Sequence, residues 1–146
     1  MKLYLDHCAY NRPFDDQRNI SIRLETSAKL HIQDKIRNGK YDLVWSYMSD
    51  LENSKNPNIE NKKAIQNWVK IAILKCKSSS NILKLGKIIE KYGINVKDSL
   101  HIASAIESKC EYFITTDTGL LKKQINEIQI INPIDFVRIL EGKNEN

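Results

Sequence analysis

Four short apolar runs, each separated from the next by enough chain for a helix, set the tightest limit on how these 146 residues can fold. The runs are Leu3-Tyr4-Leu5, Tyr41 to Trp45, Tyr112 to Thr115 and Ile128 to Ile131. Antiparallel strands can be joined by two residues, whereas parallel strands need a crossover of a dozen or so, usually through a helix. Every connection here has that length, so the pattern predicts a three-layer α/β/α sandwich around a parallel sheet of about four strands. With 41% of residues hydrophobic, the chain has the material for one core, and residues 1–141 are expected to form a single domain. Residues 142–146 read as a flexible tail.

The intervening segments carry helical signals. Ile20, Leu24, Ala28, Ile32 and Ile36 recur every fourth residue and predict an apolar ridge that Asn38-Gly39 terminates. Tyr47 to Ser54 forms a short helical pattern, broken at Asn56-Pro57 because a residue before proline is biased away from helical backbone. Asn58 then caps a long predicted helix with Ile59, Ala64, Ile65, Trp68, Val69, Ala72 and Ile73 on its apolar face. Asn81 opens another, running to Tyr92-Gly93. Leu100, Ile102, Ala103, Ala105 and Ile106 make the helix after Asp98 apolar on nearly all sides, the mark of burial against the sheet. Asn132-Pro133 starts the last helix with a capping residue and a proline at its first position.

Composition narrows the function classes. No apolar stretch is long enough to span a bilayer, and Asp6-His7 follows the first strand where a leader would need an apolar core. The three cysteines, Cys8, Cys76 and Cys110, show no C-x-x-C spacing, which points to reduced thiols and a cytoplasmic location. The net charge of +5 is unevenly spread: Ser54 to Lys97 carries +8 and the remainder −3. A basic middle with acidic flanks suits a protein that handles a polyanion, and equally suits solvated lysine-rich helices.

Four acids fall at comparable places. Asp6 ends the first strand, Glu52 sits in the helix after the second, Asp98 lies in the first turn of the buried helix, and Asp117 follows the third strand. Parallel strands point their C-terminal ends to one side, where α/β sheets place ligands. Clustered carboxylates repel one another unless protonated or held by a cation, and hard divalent cations take oxygen ligands. Each acid also has an ordinary structural reading: Asp6 and Asp98 as helix caps, Asp117 as a turn residue, Glu52 as a solvated helix position with Asp50 competing to face inward. Glu25, in mid-helix, reads as a surface acid.

At these residues the sequence resembles the PIN domain family of metal-dependent ribonucleases, which includes VapC-like toxins of toxin–antitoxin pairs. The resemblance rests on Leu5-Asp6, Trp45-Ser46-Tyr47-Met48-Ser49-Asp50-Leu51-Glu52, Lys97-Asp98-Ser99-Leu100-His101-Ile102-Ala103-Ser104-Ala105 and Phe113-Ile114-Thr115-Thr116-Asp117, and it covers nearly the whole chain. It implies Mg²⁺ or Mn²⁺ held by Asp6, Glu52, Asp98 and Asp117, hydrolysis of phosphodiester bonds in single-stranded RNA, a small antitoxin partner and a homodimer. Arg12, Lys55, Lys62 and Lys97 are the expected nucleic-acid contacts, although Arg12 could instead pair with Asp15 or Asp16.

The sequence departs from the toxin pattern at Cys8, where many members have Ser or Thr, and at Gly119, where many have a further Asp. These departures motivate an alternative, a catalytically weak PIN-like module that binds RNA or protein. His7, His31 and His101 read as poor catalytic candidates, with His101 a satisfied core residue.

Overall fold

In a computed structural model that describes residues 1–142, five parallel strands stack in the order β3-β2-β1-β4-β5. They are β1 (Lys2–Leu5), β2 (Asp42–Ser46), β3 (Leu74–Cys76), β4 (Tyr112–Ile114) and β5 (Gln129–Ile131). The helices are α1 (His7–Asn11), α2 (Ile20–Arg37), α3 (Tyr47–Ser54), α4 (Ile59–Gln66), α5 (Ser80–Glu90), α6 (Val96–Glu107), α7 (Thr118–Leu121) and α8 (Pro133–Gly142). Two 3₁₀ turns, Arg12–Phe14 and Asn67–Lys70, follow α1 and α4.

Strand alternation divides the core into two apolar layers. Leu3, Leu5, Leu43, Trp45 and Ile114 pack with Tyr10, Ile32, Ile36, Ile65, Trp68 and Phe136 on one face. On the other face, Tyr4, Val44 and Phe113 pack with Ile82, Ile89, Ile102, Ala103 and Ala105. Tyr4 stacks on Phe113 with ring centroids 5.2 Å apart. Strand β1 is central, pairing with both β2 and β4, so its C-terminal end lies in the middle of the sheet edge.

The predicted sandwich is present, with one strand more than expected. Leu74–Cys76 adds to the outer side of β2 where the sequence reading continued a helix. The helix capped by Asn58 stops at Gln66, and a 3₁₀ turn carries the chain into β3. This strand lies at the sheet margin and leaves Leu74 and Lys75 exposed, so it lacks the apolar alternation of a half-buried strand. Helix α1 was also unforeseen. It has five residues, too few for a period, and starts because the Asp6 side chain accepts its first N–H.

The α2 ridge is offset from the expected one. Ile32 and Ile36 are buried, but Ile20 and Leu24 are 56% and 52% exposed, and Glu25, Lys29 and Gln33 take the inward positions. Gly142 belongs to α8 rather than to a tail. The rest of the expected tail, residues 143–146, lies outside the described residues.

Candidate active site

Helix α6 leads through a short turn into β4 and returns against the strand direction, which brings its N-terminal turn to the edge where β1, β2 and β4 end. Asn95 caps α6 by accepting from the Asp98 N–H at 2.8 Å, and its amide donates to Asp98 Oδ2 at 2.9 Å. The Asp98 carboxylate is thereby held at the edge.

Asp6 is buried. Its Oδ1 accepts the His7 N–H at 2.9 Å, while Oδ2 accepts the Thr115 hydroxyl at 2.8 Å and the Cys8 thiol at 3.3 Å. Burial and the Asp6 charge push the Cys8 thiol up to about 12, so it remains a proton donor to that carboxylate. Thr115 also accepts the Asp117 N–H at 3.1 Å, linking the ends of β1 and β4. Asp117 is exposed and caps α7, its Oδ1 accepting from Gly119 and Leu120. The turn role and the site position coincide in one residue, as the cap role and the site position do in Asp6.

Glu52 settles the choice left open against Asp50. Asp50 is exposed and accepts from the Trp45 indole and the Gln66 amide on the outer side of α3. Glu52 Oε1 lies 2.7 Å from His101 Nε2, and His101 Nδ1 lies 2.5 Å from the Tyr4 hydroxyl. A carboxylate only accepts, so Nε2–H donates to Glu52 and Nδ1 accepts from Tyr4. Tyr4 in turn meets Ser46 at 2.5 Å and Ser49 at 3.2 Å, the two residues of the α3 capping box. The His101 hydrogen bond outweighs partial burial and draws the Glu52 carboxyl below its usual range.

Ligand atoms of Asp6, Glu52 and His101 lie within 4.8 Å of one another. Asp98 joins them electrostatically: burial first, then the charges of Asp6 and Asp117, push its carboxyl up to about 6. Two adjoining depressions of about 380 Å³ each share Asn95 and Asp98, one reaching Asp117 and the other Glu52. A larger depression of about 510 Å³, around Leu121 to Ile130, contains none of these carboxylates.

The sequence reading missed the partnership of His101. It is buried and satisfied, as expected of a core histidine, but one of its partners is a site carboxylate. Its position one turn after Asp98 brings it toward the pocket, but nothing local to it in the chain marks Glu52 as its partner. Among the expected nucleic-acid contacts, exposed Lys55 and Lys97 stand close enough that Lys97 pulls Lys55 below its ordinary value. Lys97 also acts on Glu52, which places this basic pair beside the acidic edge. Lys62 lies on α4, where its carbonyl accepts from Asn53.

Arg12 is engaged by protein acids. Its guanidinium donates to Asp15 at 2.8 Å and Glu25 at 3.0 Å, whereas Asp16 pairs with Arg18. Glu25 is therefore not a surface acid. It is 7% exposed and also accepts from Asn132, so the 3₁₀ turn after α1 is clamped onto α2.

A parallel α/β domain with carboxylates converging on its central strand ends defines the class: a fold that presents an acidic edge. The particular family is identified by sequence comparison. The PIN domain family model matches residues 21–126, and the chain belongs to that family, whose members are generally nucleases. The match includes Glu52, Asp98 and Asp117; Asp6 precedes it and is joined to it by the β1–β4 pairing. No curated protein matches the chain in sequence. A chain in the crystal structure of VapBC2 from Rickettsia felis, bound to a DNA fragment from their promoter, is similar in fold. It is 17% identical with a TM-score of 0.55, over 90% of this chain and 98% of that one.

Proposed function

We propose that this PIN domain is a Mg²⁺- or Mn²⁺-dependent endoribonuclease acting on single-stranded RNA. The observation carrying the reading is the convergence of Asp6, Glu52 and Asp98 at the sheet edge, with Asp117 near enough to raise Asp98 further. Such a donor set, dominated by carboxylate oxygen, fits a hard divalent cation better than a soft one. His101 spends its Nε2 proton on Glu52, so in this reading it orients a ligand rather than serving as one.

Asp6, Glu52, Asp98 and Asp117 would hold the metal. When bound, a divalent cation at such a site activates water and neutralises developing charge on a phosphodiester. The protein's own contribution is positioning: Thr115 and Cys8 fix Asp6, His101 fixes Glu52, and Asn95 fixes Asp98. Lys55 and Lys97, beside the acidic edge, would attract the RNA backbone. Arg12 spends two of its five N–H donors on Asp15 and Glu25, so its contribution to RNA binding would come from the remaining ones.

The same reading includes a role as the toxin of a toxin–antitoxin pair, with a small antitoxin partner and pairing of two copies. The fold likeness to a chain of VapBC2 supports it. Incubation of the protein with single-stranded RNA and Mn²⁺ tests the activity. Cleavage should disappear with EDTA and in Asp6→Asn and Asp98→Asn, both still folded by circular dichroism. Cleavage that survives the chelator and both substitutions would sink the mechanism. Absence of any Mn²⁺-dependent rise in thermal stability would favour the binding module instead.

A further inference from the structure

On the layer formed by α1, α2 and α4, Tyr10, Phe14, Lys29, Gln33, Arg37 and Trp68 line a cavity of about 170 Å³. Lys29, Gln33 and Arg37 recur every four residues along one face of α2. Lys29 is only 3% exposed, yet among the described residues it has neither a carboxylate partner nor a hydrogen-bond acceptor. Its ammonium rests 5.6 Å from the Tyr10 ring and 5.9 Å from the Trp68 ring. Gln33 Nε2 and the Tyr10 hydroxyl are buried without partners. The Arg37 guanidinium covers Trp68 at 4.7 Å.

We propose that this cavity binds a small planar carboxylate, an aromatic acid of about ten non-hydrogen atoms. Two buried donors without partners, the Gln33 amide and the Tyr10 hydroxyl, share this cavity with the Lys29 ammonium, which has no counter-ion, and unpaired buried polar groups are costly. Water could satisfy the phenol and the amide, but only an anion would favour the protonated form of the Lys29 amine, which burial otherwise disfavours. A carboxylate answers all three.

The walls decide the rest of the ligand. Phe14, Tyr10 and Trp68 present rings, and Ala64 and Ile65 add apolar surface, so a bare phosphate would be desolvated without filling the space. A cavity of about 150 Å³ lined by apolar side chains accepts benzene, which sets the scale for one ring and its acid group. Burial pulls Lys29 down to about 7, and a bound carboxylate would hold it charged.

Titration of the whole protein with benzoate, followed by ¹H–¹⁵N NMR, tests the assignment. Benzyl alcohol, acetate and inorganic phosphate serve as comparators. Benzoate should give saturable shifts confined to α1, α2 and the Trp68 indole, with affinity about tenfold or more above each comparator. Lys29→Met should lower that affinity about tenfold while preserving the folded spectrum, and Gln33→Leu, which keeps the cation, should lower it severalfold. No saturable shift, shifts scattered elsewhere, equal binding of any comparator, or unchanged affinity in Lys29→Met would each overturn the proposal.

Discussion

Replacing Lys29 by methionine should stabilise the protein, and by an amount that depends on pH. An unfolded lysine titrates at 10.5, whereas burial, aided by the Arg37 charge, brings Lys29 to about 7 in the fold. Between these values the unfolded chain holds a proton that the native protein has lost. Stability therefore rises with pH across this window, and the penalty is fully present below pH 7. At about 1.4 kcal/mol per pH unit, the separation corresponds to roughly 4 kcal/mol near pH 7. Cation–π contacts with Tyr10 and Trp68 offset about 1–2 kcal/mol of this. Methionine fills a similar volume without a charge, leaving a net gain of about 2–3 kcal/mol at pH 7. Urea denaturation of both proteins at pH 7, 8 and 9 reads the difference, and other groups titrating in that range cancel in the comparison. The advantage of the variant should shrink by about 2 kcal/mol between pH 7 and 9. A variant that is no more stable at pH 7, or whose advantage does not change with pH, would refute the reasoning.

The acidic edge supports further tests. With EDTA present at pH 7.5, Asp98→Asn should unfold at higher denaturant than the parent by about 1 kcal/mol, from relief of carboxylate burial first and of repulsion from Asp6 and Asp117 second, both discounted because Asp98 is only half-buried. The same variant should lose most of the stabilisation that millimolar Mn²⁺ gives the parent; an undiminished shift would remove Asp98 from the metal-binding set. Tyr4→Phe keeps the stack on Phe113 but removes the hydroxyl that meets Ser46 and His101. It should cost about 1–2 kcal/mol in urea and lower RNA cleavage, and unchanged cleavage would separate the His101 chain from Glu52 positioning. Glu25→Gln leaves Asp15 as the charged partner of Arg12 and should destabilise by about 1–3 kcal/mol, whereas a change below about 0.5 kcal/mol would show that the clamp contributes little.

The four strands read from sequence are those that the core covers. Leu3, Leu43, Phe113 and Ile131 are all buried, so their runs are apolar for a physical reason. Strand β3 has no such reason, since Leu74 is 40% exposed and Ile71 to Leu74 continue the apolar spacing of the helix before it. The placement of the site carboxylates at one edge was legible because chain topology alone brings strand ends and the start of α6 together. Their supports were not legible. Thr115 reaches Asp6 across 109 residues, His101 reaches Glu52 across 49, and Asn132 reaches Glu25 across 107. Such pairs exist only after packing, and no local pattern marks them. Glu25 therefore looked solvated on α2 when it is buried and clamped by Arg12.

That contrast separates the roles of the buried polar groups. Glu25 and Arg12 satisfy one another and fix the 3₁₀ turn that follows α1. Tyr4 and His101 form a continuous line of hydrogen bonds from the α3 cap to Glu52, and Thr115 joins Asp6 to the turn before α7. These networks end on carboxylates at the edge, and there the exposed cations Lys55 and Lys97 stand nearby rather than in direct pairing with Asp6 or Asp98 among the described residues. An internal lysine bridge would have neutralised the cluster within the fold. Without one, the charges of Asp6 and Asp117 add to burial in raising Asp98, and in the proposed function the oxygen donors stay available for a cation. The departure at Cys8 fits the same arrangement, because its protonated thiol supplies the hydrogen bond that a hydroxyl would give Asp6. Cys8→Ser should therefore keep both the fold and the Mn²⁺ response. Loss of the metal-dependent stabilisation in that variant would show that sulfur does something at the edge that an oxygen donor cannot.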